Sequence, residues 1–349
     1  LAHFLAEQEC KSFLITSGGE LLKFVRRDKV KVIRLPVHSK NPLIIFINFI
    51  IIFFILLIYN IDIVHARSRA PAWSCLWACF FSRKQFVTTF HGTYNYSSKL
   101  KFFYNSVMVR SKLIIAGSNF IFNHISQNYQ NYLDPKKKKL MVIFRGINLD
   151  YFNSKNISEK KINSLSSTWK IEKKNFIILL PGRLTRWKGQ ELFIDSLNLL
   201  LQEQNKKNFH AIILGSNQGR LVYSKKLSQL VERHRLVKKI TFFESCEEMP
   251  IGYKLADIVV SSSIEPEAFG RVAIEAQAMR KPIIASDIGG SKETILNNKS
   301  GLLFKSGDPK ELARAMSKIM DMNKESLSLM GEQGRKNVEK KFNVDQMCQ

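Results

Sequence analysis

Acidic residues are scarce in this chain. Against 54 lysines and arginines stand 29 aspartates and glutamates, a formal net charge of +25 over 349 residues. The imbalance points to an anionic partner: nucleic acid, phosphorylated small molecules or a membrane surface. Ile, Asn, Phe and Lys are all abundant, so part of the lysine excess reflects general composition. Nucleic acid is the partner that the motifs do not support. There is no zinc-finger spacing, no aromatic-flanked RNA motif and no basic helix with heptads. The four consecutive lysines at 136–139 read as a solvated loop.

Cysteine is sparse as well, five in all and scattered. Cys75 and Cys79 lie one helical turn apart, with no His or Cys partner at metal-site spacing. The set reads as reduced thiols of a cytosolic protein. No signal-peptide pattern opens the chain. Its first residue is leucine, and "LAHFLAEQEC" reads as the middle of a helix, so an incomplete N-terminus is expected.

Long apolar runs are rare, with one exception. Residues 43–59, "LIIFINFIIIFFILLIY", carry no charge and one Asn. As a helix this run would be about 26 Å long, short of the roughly 30 Å hydrocarbon core of a bilayer. The following "NIDIVHARSR" reads as another strand of the same domain. A buried or partly buried helix is therefore favoured over one lying on a membrane. A span is least favoured, because it would separate strands expected to share a sheet.

What is present is a folded chain, 45% hydrophobic and 24% charged, long enough for two domains with separate cores. Short apolar runs alternate with helical patterns, the signature of parallel sheets with crossover helices. Strands are expected at 12–17, 31–36, 61–66, 85–90, 113–116 and 140–144, with helices at 70–81 and 119–128. A second series places strands at 176–180, 211–214, 240–243, 258–261, 282–285 and 302–304. Its helices are expected at 188–202, 220–234, 271–279 and 309–320. Residues 152–169 are polar and lack an apolar period, so they read as a linker between a domain at 1–151 and one at 170–349.

Two stretches carry chemistry. In "PEAFGRVAIEAQAM", Glu267 and Glu275 stand eight apart, with Gly270 and Arg271 at the start of a helix. The unpaired N–H groups and positive dipole end there suit a phosphate or a sugar hydroxyl. Two carboxylates around such a ligand would accept hydrogen bonds from its hydroxyls. Alone, the pair would read as a dipole-favouring acid and a surface glutamate. The second stretch changes that. "LLPGRLTRWKGQELFIDSL" runs from strand through a Gly-containing turn and several cations into a helix. Arg183 suits bidentate contact with phosphate, and Lys188 acts as a point charge.

With both motifs in one chain, the sequence resembles the retaining, nucleotide-sugar-dependent glycosyltransferases of family 4, which have the GT-B fold. The matching stretches include "PGRLTRWKGQELFIDSL", "ADIVVSSSIEPEAFGRVAIEAQAM", "KPIIASDIGGSKETI", "DIVHARSRAPAW", "TTFHGTYNYSSK" and "FRGINLDYF". They cover nearly the whole chain and look nearest to bacterial members that build lipopolysaccharide or other envelope glycans. The resemblance implies an α/β protein of two Rossmann-like, doubly wound domains facing across a cleft. It implies Arg183 and Lys188 on the donor diphosphate, Glu275 on the ribose, and Glu267 on the transferred sugar beside the Phe269 and Gly270 amides. It also implies His91 near the reacting sugar, where a core-capping histidine is the competing reading. His65 reads as structural.

The donor implied is a UDP- or GDP-sugar, the acceptor a glycan or lipid-linked glycan, and the outcome retention of configuration. The expected setting is the cytoplasm, peripheral on the inner face of an anionic membrane. No D-x-D motif occurs, and neither metal nor cofactor is expected. Two departures stand out: the family's opening strand and Gly-rich loop are missing, and Arg280 occupies a glycine position that usually makes a left-handed turn. Alternatives are a nucleotide-sugar epimerase of the same fold and a non-catalytic envelope-assembly partner.

Overall fold

The computed structural model describes residues 1–94, 97–134, 136–172 and 175–349. Asn95 and Tyr96, within the "TTFHGTYNYSSK" stretch, lie outside the described residues. The chain forms two compact units, residues 1–143 with 348–349, and residues 144–347.

The first unit runs α1 (Ala2–Glu7), β1 (Ser12–Thr16), β2 (Val30–Arg34), α2 (Pro42–Ile58), β3 (Ile63–Ala66), α3 (Arg69–Ser82) and β4 (Gln85–Phe90). It continues with α4 (Lys99–Ser106), β5 (Leu113–Ala116), α5 (Asn119–Asn128) and β6 (Lys139–Val142). Each expected strand is present, but they do not share one sheet. β1 pairs in parallel with β2, and β3–β4–β5–β6 form a separate parallel sheet. Among the described residues no strand lies between β1 and β3. Their outer edges instead line one cavity of about 510 Å³, which also takes in residues from α2 and α3.

The apolar run forms α2. Asn41 caps it by accepting from the Leu43 amide, and Pro42 occupies the first turn, where its missing N–H and fixed φ cost nothing. Only Asn48, Ile52 and Leu56 are buried, a stripe at four-residue spacing. Ser74 of α3 donates to the Ile45 carbonyl at 2.8 Å and joins the two helices. The helix is thus half-sunk, with most of its surface exposed. Among the described residues no helix is long and apolar enough to cross a membrane.

The second unit runs α6 (Glu159–Thr168), β7 (Phe176–Pro181), α7 (Gln190–Gln202), β8 (Phe209–Leu214), α8 (Leu221–Arg233), β9 (Ile240–Phe243) and α9 (Met249–Leu255). Then follow β10 (Ile258–Ser261), α10 (Arg271–Ala278), β11 (Ile283–Ser286), α11 (Ser291–Thr294), β12 (Gly301–Phe304), α12 (Pro309–Met320) and α13 (Lys324–Lys341). Six parallel strands lie in the order β12–β11–β10–β7–β8–β9. Strands buried on both faces are apolar throughout, and successive side chains feed opposite cores. Ile178 and Leu180 of β7 enter the core that contains Phe193, Leu227 and Met316. Ile177 and Leu179 enter the other, with Tyr253, Ile274 and Val338.

The expected linker is a correction. Residues 152–169 fold onto the second unit: Phe152 and Trp169 are buried in its core, and the Trp169 ring stacks on Phe243 at 4.8 Å. Ser158 caps α6 by accepting from the Lys161 amide, and Lys161 Nζ reaches Glu248 at 2.7 Å. Ile162, Leu165 and Trp169 follow helical spacing, but three apolar residues in a run of Ser, Lys and Asn leave too thin a stripe to read.

Candidate active site

In the second unit the strand order reverses between β7 and β10. One series of crossovers leads from β7 outward to β9, the other from β10 outward to β12. Loops leaving two such adjacent strands part company at their carboxyl ends and open a crevice for a ligand. Residues 182–189 leave β7 and residues 262–270 leave β10, so both sequence motifs reach this point.

Lys188 ends a single 3₁₀ turn, Arg186–Lys188. Its Nζ lies 2.7 Å from Glu267 Oε1, with both side chains largely buried, 13% and 12% exposed. The same carboxylate oxygen accepts from Ser263 Oγ at 2.5 Å and, more weakly, from Ser261 Oγ at 3.5 Å. The Lys188 ammonium also sits 4.5 Å from the centre of the Trp187 ring. A cation and an anion removed from water together hold each other in place, and the serine hydroxyls fill further lone-pair positions. Arg183 stands outside this pair: its side chain is exposed, while its carbonyl accepts from Gln190 Nε2 at 2.9 Å.

Glycines allow the loops to approach this closely. Gly189 adopts φ 71°, and a Cβ there would lie 1.9 Å from the Ser262 carbonyl oxygen. Gly289, at φ 60°, lets the loop after β11 cross Glu267, where a Cβ would fall 2.5 Å from the Glu267 carbonyl. That carbonyl accepts from the Gly290 amide at 2.8 Å. The backbone of Glu267 is thereby fixed as well as its side chain.

Glu275 occupies the second turn of α10 and is 12% exposed at its side chain. Tyr253 donates to Oε2 at 2.8 Å, and Arg271 donates to Oε1 at 2.8 Å from one turn earlier. Burial pushes the Tyr253 phenol well above its usual range, and the Glu275 charge adds to this. The phenol therefore stays a donor. Gly270 is the N-cap of α10, with φ 82°. Phe269 is 2% exposed and packs on Phe342 at 5.5 Å, so its ring belongs to the core and only its backbone faces the loop.

Lys188, Glu267, Phe269, Gly270 and Glu275 thus come together in one unit. His91 belongs to the other. It follows β4, and its Nε2 accepts from Arg67 Nε at 3.3 Å. Its amide donates to the Tyr94 hydroxyl at 3.4 Å. Sequence reasoning missed four supporting residues. Ser261 and Ser263 were signalled by the hydroxyl run "SSS" at the end of β10, and Arg271 by its helical spacing to Glu275. Tyr253, on another helix, had no local signal. Among the described residues, no group of three or more His, Cys, Asp or Glu side chains is placed to hold a metal.

A family model described as "Glycosyl transferases group 1" matches residues 162–337, and one described as "Glycosyltransferase Family 4" matches residues 1–151. The crystal structure of a glycosyltransferase from Rickettsia africae ESF-5 is 34% identical, with a TM-score of 0.89 over 99% of this chain and 89% of that one. An uncharacterised glycosyltransferase of Methanocaldococcus jannaschii, MJ1069, is 26% identical over 91% of this chain and 82% of its own length. Anabaena HepE, crystallised with UDP and glucose, shares 20% identity and the fold, with a TM-score of 0.83 over 99% of this chain and 92% of that one. The two α/β domains are those of the GT-B fold, and the chain belongs to the group 1 glycosyltransferases.

Proposed function

We propose that this enzyme moves a sugar from a UDP- or GDP-sugar to a glycan or glycolipid acceptor with retention of configuration. The product would belong to lipopolysaccharide or another envelope glycan, and the enzyme would work peripherally at the inner face of the cytoplasmic membrane. The observation that carries the donor assignment is the Lys188–Glu267 pair beside the N-terminus of α10, with Glu275 held one turn further in. HepE, of the same fold, was crystallised with UDP and glucose, which supports a nucleotide-sugar donor.

Each group then has a task. Negative charge grows on the departing diphosphate, and we assign Lys188, Arg183 and the first amides of α10 to stabilise it as fixed positive groups. Before the donor arrives, Glu267 neutralises Lys188. A diphosphate that draws the ammonium away leaves the Glu267 carboxylate to accept from a hydroxyl of the transferred sugar. Glu275, oriented by Tyr253 and Arg271, accepts from the ribose hydroxyls. The role of His91 at the reacting sugar is assigned by the resemblance of its "TTFHG" stretch to the family alone. We name no side chain as a covalent nucleophile, so retention is assigned as same-face displacement.

Incubation with UDP-glucose or GDP-mannose and a lipid-linked glycan, followed by NMR of the product, tests this reading. The expected product keeps the donor's anomeric configuration. An inverted product would overturn the retaining assignment, and no transfer or hydrolysis across a panel of nucleotide sugars would overturn the reading itself.

A further inference from the structure

A second feature lies in the first unit. α2 turns a broad apolar surface outward: Leu43 is 65% exposed and Phe46 56%, and Phe54 and Ile58 are exposed too. α3 adds Trp77, at 47%, and Phe81, at 58%. Between the helices and α4 runs a groove of about 660 Å³ lined by Phe46, Phe49, Trp73, Trp77, Phe81 and Phe103, with Lys40 at its edge. Exposed apolar patches of this extent mark surfaces that meet another apolar phase.

The surrounding charge says which phase. Residues 40–112 carry nine lysines and arginines and a single acid, Asp62, and that acid faces Lys84 at 3.5 Å. Lys40, Arg83, Lys99 and Lys101 are exposed. Arg110 lies over the rings of Trp73 and Phe103, at 5.4 and 5.0 Å, so the groove wall itself bears a cation. A second copy of this chain fits poorly. A two-fold contact would set these cations against themselves. Anionic headgroups above acyl chains match both the charge and the rings.

We propose that the α2–α3–α4 face docks on a bilayer of anionic phospholipid, the groove admitting acyl chain while Lys40, Arg110 and the neighbouring lysines meet phosphate. α2 then lies along the surface, because its stripe of Asn48, Ile52 and Leu56 stays buried in the protein. The proposal deepens the membrane-side part of the function given above and rests on it.

Flotation of the full chain tests this with phosphatidylcholine vesicles and with vesicles containing about a third phosphatidylglycerol. The expected result is at least about tenfold tighter partitioning to the anionic vesicles, falling as salt is raised. Brominated acyl chains should quench the tryptophan emission. The double variant Phe46→Ser/Phe81→Ser, both exposed positions, should partition about tenfold less or weaker still, with its circular dichroism unchanged. Absence of flotation with either vesicle would overturn the proposal. So would equal partitioning of the variant, or a wild-type dimer in light scattering that the variant breaks. UDP-glucose binding is measured in solution on the same samples. Binding without flotation sinks the docking face alone, and flotation without binding sinks the donor reading alone.

Discussion

At the scale of single residues the site is a set of charges held ready by their neighbours. Lys188 and Glu267 neutralise each other, while Tyr253 and Arg271 fix Glu275. Ser261 and Ser263 add hydroxyl donors to Glu267. His65 gives a separate prediction. Burial, with the nearby Arg67 charge, lowers its pKa from 6.5 to about 4, and its Nε2 lies 2.6 Å from Thr89 Oγ1. The unfolded chain therefore takes up this proton first as the pH falls. The stability contribution is complete above about pH 6.5 and is lost as the pH drops to about 4, up to about 3 kcal/mol. Urea midpoints should show wild type losing more stability than His65→Asn between about pH 7.5 and about pH 4.5. Parallel losses would refute the buried, neutral histidine.

Elements show best what could be read in advance. The strands were legible because each is a short apolar run, and α7 because Leu192, Phe193, Leu197 and Leu200 mark one face. The split between β1–β2 and β3–β6 was not legible, since pairing partners are set by tertiary packing. Tyr253 reaches Glu275 from 22 positions away, a contact that no local spacing encodes. The turn after α10 was legible as left-handed, and Arg280 adopts φ 58° there. Its side chain reaches Glu332 at 2.6 Å and Ser154 at 3.3 Å. Glycine would relieve the φ strain, while alanine would keep the strain and lose the contacts. Arg280→Ala should therefore be less stable than Arg280→Gly by about 1 kcal/mol. Chemical denaturation giving the opposite order would show that the turn is unstrained.

For the whole molecule, a parallel sheet with a topological switch places the cationic loop after β7 beside the carboxylate loop after β10. The central claim is that this one point in the second unit grips a nucleotide sugar. Isothermal titration of UDP-glucose and GDP-mannose into wild type, Lys188→Ala and Glu275→Ala tests it most directly. Wild type should bind at least one donor, and each variant should bind it roughly tenfold to a hundredfold more weakly, as for loss of a charged hydrogen bond. No binding of either donor by wild type, or equal affinity in all three proteins, would contradict the claim.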